Sequence, residues 1–156
     1  MKRIAILTAV ALALVLMTSV TFAGPRFSVI HMTRNFNKSL FPAECLGTVT
    51  TETLPSKAGE QVTWLIRNGN SFNNDDVCPS IDKSMVALQF KDGVMGATSL
   101  AAQQITLGGV TVWVIRGTIS AVNGTHQYSV FYKGLQAGPD PELDVACPDC
   151  GGPGPH

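Results

Sequence analysis

Charge is scarce in this chain. Only 14% of its 156 residues are Asp, Glu, Lys or Arg, and eleven acids balance eleven bases. A near-neutral chain with scattered charges has no electrostatic footprint for nucleic acid or for an anionic membrane surface. Long charged helices are absent, while Gly, Asn, Thr and Ser are plentiful, which argues against a helical bundle or coiled coil. There is no internal repeat, no Walker loop, no Rossmann glycine fingerprint and no G-x-S-x-G, so the common phosphate, dinucleotide and serine-hydrolase readings fall away. Histidine is limited to His31, His126 and His156. His126 stands beside Thr125, His31 stands among apolar residues, and each reads as a packed or surface histidine. No catalytic residue is expected, and no cofactor.

Long apolar runs are also missing, with one exception at the start. Lys2 and Arg3 precede an apolar run over Ile4–Met17, and Thr21-Phe22-Ala23 places small residues where a signal peptidase reads them. This is the three-part pattern of a secretory signal, and the run is short for a bilayer span. Residues 1–23 are therefore expected to be a removed leader. No cysteine lies near the cleavage site, so a lipoprotein is not expected. About 130 residues remain, one domain of ordinary size, slightly acidic once Lys2 and Arg3 are gone. The expected location is the periplasm or cell exterior, with no membrane span after cleavage.

Export would place Cys45, Cys78, Cys147 and Cys150 in an oxidising compartment. Four cysteines permit three pairings; Cys45–Cys78 with Cys147–Cys150 is the expected one. The spacing Cys147-Pro-Asp-Cys150 also suits a metal or a reactive dithiol. The Gly and Pro residues that follow leave no helix whose dipole could lower a thiol pKa. A metal site would need further ligands, from Cys45, Cys78 or His156. Metal is not expected; Cys147, Cys150 and His156 are the alternative ligand set. The polar loop 68–82 holds Asn70, Asn73, Asn74, Asp75, Asp76 and Asp82, but its spacing does not match a calcium loop, so solvated turn residues are the expectation.

Strand-like runs recur along the rest of the chain. Phe27–Met32, Leu46–Glu52, Gln61–Arg67, Ser84–Lys91, Val110–Ile119, His126–Tyr132 and a last run around Glu142–Val145 carry β-branched and aromatic residues, several with period-two alternation. Gly59, Asn68-Gly69, Asp92-Gly93, Gly108-Gly109 and Asn123-Gly124 punctuate them. Residues 96–104 are expected to hold a short helix. The nearly all-apolar run at Val110–Ile119 suggests a strand buried on both faces, with Arg116 paired to a carboxylate or at a sheet edge. Trp64, Trp113, Tyr128, Phe131 and Tyr132 are expected mostly in the core. About seven strands in 130 residues predict an all-β, two-sheet antiparallel sandwich over 24–146, followed by a non-regular tail at 147–156.

Two stretches carry a resemblance. Lys57–Asn68 (KAGEQVTWLIRN) is similar to the Gly turn and Val-x-Trp strand of cupredoxin-type domains. Gly124–Val130 (GTHQYSV) with Asp140–Val145 (DPELDV) is similar to their Gly-Thr-Tyr strand and closing strand. An immunoglobulin-like sandwich could produce the same runs. The resemblance implies a sandwich but not its blue-copper centre, which needs two His, one Cys and a weak Met ligand. Val130 stands where the family's Cys would be and Lys133 where its partner His would be. The loop after Trp64 contains no His, and no Met lies beyond Met95. The functional expectation is an exported, non-catalytic binding or structural module with an extracytoplasmic protein or glycan partner. A metal or thiol-redox protein acting through the C-terminal CxxC is the alternative.

Overall fold

The computed structural model describes residues 26–50, 53–70, 76–120 and 123–146. They form two β-sheets packed face to face, the sandwich expected from the alternation. Its strands are β1 (Arg26–Arg34), β2 (Cys45–Val49), β3 (Thr53–Lys57), β4 (Gln61–Asn68), β5 (Val86–Phe90), β6 (Ser99–Ala101), β7 (Gln103–Leu107), β8 (Val110–Thr118), β9 (Gly124–Tyr132), β10 (Leu135–Gln136) and β11 (Glu142–Ala146). One sheet has the order β2-β1-β4-β8-β7, the other β3-β11-β9-β5-β6, and β10 pairs with β9. Most pairings are antiparallel. Two are parallel, β1 with β4 and β11 with β3, so both sheets are mixed.

The sequence reading, which expected antiparallel sheets, differs from the structure in these two parallel pairings and in four further respects. Residues 96–104 hold no helix; they carry β6 and the start of β7. Ser99–Ala101 is too short, and Gln103–Leu107 too polar, to show alternation. The run expected at 46–52 ends at Val49, and β3 begins at Thr53 despite Pro55, which sits at a sheet edge where a missing N–H is tolerated. Arg116 is neither at an edge nor ion-paired. Strand β7 lies outside β8, and no carboxylate among the described residues reaches the guanidinium; its Nε is buried without a hydrogen bond. On β8 only Val114 and Ile115 are buried, so burial on both faces is confined to the middle of the strand.

The core follows the alternating positions. Ile30 and Met32 on β1, Val62, Trp64 and Ile66 on β4, and Ile115 on β8 face Val86, Leu88 and Phe90 on β5, Tyr128, Val130 and Tyr132 on β9, and Leu143 and Val145 on β11. Trp64, Phe90 and Tyr128 join the layers through edge-on and stacked ring contacts at 5.4 to 6.1 Å. Inside that cluster Trp64 Nε1 donates to Tyr128 Oη at 3.1 Å, so neither polar atom is buried alone. Trp113 and Phe131 are only half-buried.

Each sandwich edge is a single run of chain that leaves one sheet and joins the other. Strands β2 and β3 do this on one side. Strands β6 and β7, with Ala102 between them, do it on the other.

Candidate functional site

The strand directions decide which loops meet. Strands β1 and β4 are parallel and end together; β8 runs against β4, so the β7–β8 hairpin tip lies at that same end. The end of β9 joins it. Lys133 Nζ binds Glu44 Oε1 at 2.5 Å, and Tyr132 Oη accepts from the Asp82 N–H at 3.1 Å. Loop 35–44, loop 76–82, the 3-10 turn Lys83–Met85 and the β9–β10 turn are thus gathered at one end of the sandwich.

That end is unusually apolar. Among the described residues eight large hydrophobic side chains are exposed: Phe27, Phe36, Leu40, Val77, Met85, Leu107, Val110 and Leu135. All but Phe27 belong to this end. Phe36 and Leu40 are the most open, at 74% and 71%, with the Arg34 guanidinium 5.9 Å from the centre of the Phe36 ring. A shallow cleft of about 210 Å³ opens beside them, lined by Pro42, Glu44, Tyr132, Lys133 and Leu135. Monomeric soluble proteins rarely gather exposed apolar side chains in this way without a use for them.

The scaffold beneath the patch is firm. Cys45 and Cys78 are joined by a disulfide with Cα atoms 5.6 Å apart, both buried. Asn68 grips the same loop from both sides: Oδ1 accepts from the Cys78 N–H at 2.9 Å and Nδ2 donates to the Cys78 carbonyl at 3.1 Å. Asn35 Nδ2 donates to the carbonyls of Phe41 and Ala43 and so fixes the loop that presents Leu40. Asp82 caps the 3-10 turn through Ser84, and the Ser84 hydrogen bonds hold its carboxyl below the usual range. The hydrogen bond from Lys133 lowers the Glu44 carboxyl, and the same bond raises the Lys133 ammonium.

Other polar groups are spent on structure. His126 lies in the core-facing row of β9, with its Nδ1 2.5 Å from Asp92 Oδ2. Burial pushes the Asp92 carboxyl up, but hydrogen bonds from His126 and the Val94 N–H, together with the His126 charge, outweigh it, and the pKa falls below its ordinary value. His31 Nδ1 meets the Gly69 carbonyl at 3.1 Å. A second cleft, of about 470 Å³, is lined by Thr48, Val49, Thr53, Pro139, Asp140, Pro141 and Glu142. Its Asp140 is already held by Ser129 Oγ at 2.7 Å, Gln136 Nε2 at 2.9 Å and Lys91 Nζ at 3.0 Å.

The positions that resemble copper ligands hold no donor set. Val130 is fully buried in the core and Lys133 is committed to Glu44. Among the described residues no cluster of three His, Cys, Asp or Glu side chains is placed to hold a metal ion. The disulfide removes Cys45 and Cys78 as thiolate ligands for the CxxC. Cys147, Cys150 and His156 lie outside the described residues, as do Asn73, Asn74 and Asp75 of the polar loop. Among the described residues no helix is long and apolar enough to cross a membrane.

The chain matches no known protein-family model, and no curated protein matches it. The apolar end could not be read from the sequence alone. Its seven side chains come from five separate loops, turns and hairpins, and no short motif unites them.

Proposed function

We propose that this chain is an exported, non-catalytic binding module that captures a protein or glycan partner through the apolar end of its sandwich. One observation carries the reading: among the described residues seven of the eight exposed large hydrophobic side chains share one end, and the loops that carry Phe36, Leu40 and Val77 are held by a disulfide and by side-chain hydrogen bonds from Asn35 and Asn68. Rigid loops cost less to order on binding, and an apolar patch beside a shallow cleft suits a protein surface or the face of a sugar ring. The disulfide and the leader-like N-terminus support a place outside the cytoplasm. We further propose that the domain is cupredoxin-like without copper; the matching runs support this, as does an apolar core residue, Val130, at the position of the copper thiolate.

Capture from the exported fraction of the native source tests the reading. The wild-type chain is expected to retain a partner that Phe36→Ser/Leu40→Ser loses, with circular dichroism unchanged. A partner retained equally by both would overturn the assignment of the surface. Stoichiometric metal lost on Cys147→Ser would favour the CxxC alternative instead.

A further inference from the structure

The four edge strands are not equally protected. An unpaired strand edge invites pairing with another chain, and native sheets blunt it with short length, charge, proline or cover. Strand β2 is covered, because Gly47 N–H donates to the Ala137 carbonyl. Strand β3 carries Pro55 and Lys57, and β6 is three residues long. Strand β7 (Gln103–Leu107) has none of these devices. It contains no charge and no proline, its side chains are exposed or half-buried, and among the described residues only β8 pairs with it.

The hairpin fixes which backbone groups point outward. Gly108 and Gly109 both have positive φ, +55° and +82°, the conformation of a two-residue type I′ turn, which only glycine adopts at no cost. Such a turn makes the flanking residues, Leu107 and Val110, a hydrogen-bonded pair. Alternation then directs the Ile105 and Gln103 backbone groups to β8 and those of Gln104 and Thr106 away from it.

We propose that β7 is a self-recognition edge through which two copies of this chain pair antiparallel, with the two-fold axis at Ile105. Gln104 of each copy lies opposite the partner's Thr106, and these two pairs exchange four backbone hydrogen bonds. Ile105 meets the partner's Ile105 at the narrow, non-hydrogen-bonded position, where side chains approach most closely. Both lie on the outer face of the sheet, beside Val112. A second copy is the occupant that the strand itself specifies. The arrangement is self-complementary, no like charges are set opposite one another, and the two-fold closes so that each edge is used once. The product is a continuous ten-stranded sheet. A five-residue edge is a small contact, below the roughly 1,000 Å² of a stable interface, so the dimer forms in proportion to concentration. The proposal does not depend on the apolar end as a partner surface.

Sedimentation of the chain lacking residues 1–23, from micromolar to millimolar concentration, tests it. The average mass is expected to rise toward that of a dimer, and amide exchange at Gln104 and Thr106 to slow with it. Thr106→Pro deletes an outward N–H without touching the β7–β8 ladder, and is expected to raise the dissociation constant roughly tenfold or more. Ile105→Lys sets two like charges together at the axis and is expected to do the same; it decides the matter if Thr106→Pro lowers the melting temperature. A chain that stays monomeric throughout, or a dimer indifferent to both substitutions, would overturn the proposal.

Discussion

Tyr128 and Trp64 show how a single residue can serve both layers. Trp64 reaches from one sheet and Tyr128 from the other, and the indole N–H finds its acceptor in the phenol oxygen at 3.1 Å. Burial pushes the Tyr128 phenol up to about 12, against a smaller opposing effect of the Trp64 hydrogen bond. Tyr128→Phe keeps the ring and deletes the acceptor, which strands a buried donor. The expected cost is about 1–3 kcal/mol, read from urea unfolding. A phenylalanine that left stability unchanged would mean that another acceptor reaches the indole. Gly138 shows close approach at the same scale. Its φ is +152°, and a Cβ there would stand 2.5 Å from the Gly47 carbonyl oxygen, so the loop covering β2 has room for glycine alone.

At the scale of elements, Asp140 fastens the β10–β11 loop across β9 and β5 through Ser129, Gln136 and Lys91. Burial raises its pKa, but the Ser129 and Lys91 hydrogen bonds and the Lys91 charge outweigh it, so the folded value lies below the unfolded one. A depressed carboxylate stabilises the fold above the unfolded pKa, near 4, and loses that contribution as pH falls through the folded value. Asp140→Asn is therefore expected to lower stability at neutral pH, and the gap from wild type to close in strong acid. Chemical denaturation at several pH values checks this; a gap that widens in acid would contradict it. The same scale shows what the sequence could tell. Strands β4, β5 and β9 were legible because one face of each is core and the other is polar or solvated, so Val62, Trp64 and Ile66 alternate plainly. Strand β7 was not, because Gln103, Gln104, Thr106 and Leu107 are all exposed and no burial pattern was written into them. Strand β3 was hidden by Pro55, and the parallel pairings by their distance along the chain.

At the scale of the whole molecule, the Cys45–Cys78 bridge closes a separation of 33 residues. In the chain-entropy account a loop of that size stabilises by about 3–4 kcal/mol through the unfolded state. Cys45→Ala/Cys78→Ala is expected to lose about that much in thermal or denaturant unfolding, while strand content by circular dichroism persists under native conditions. A loss far smaller would mean that the unfolded chain is already compact there. The expectation of a sulfur-bridged sandwich could be formed from residue types and spacing alone. The apolar end could not, because it exists only once five elements distant in the chain are brought to the same end of the sandwich.

The edge runs β2–β3 and β6–β7 have a mechanical consequence. Because the polypeptide passes from one layer to the other along both flanks, the layers are laced rather than merely stacked. Prising them apart would tear backbone pairing on each flank as well as expose the aromatic filling.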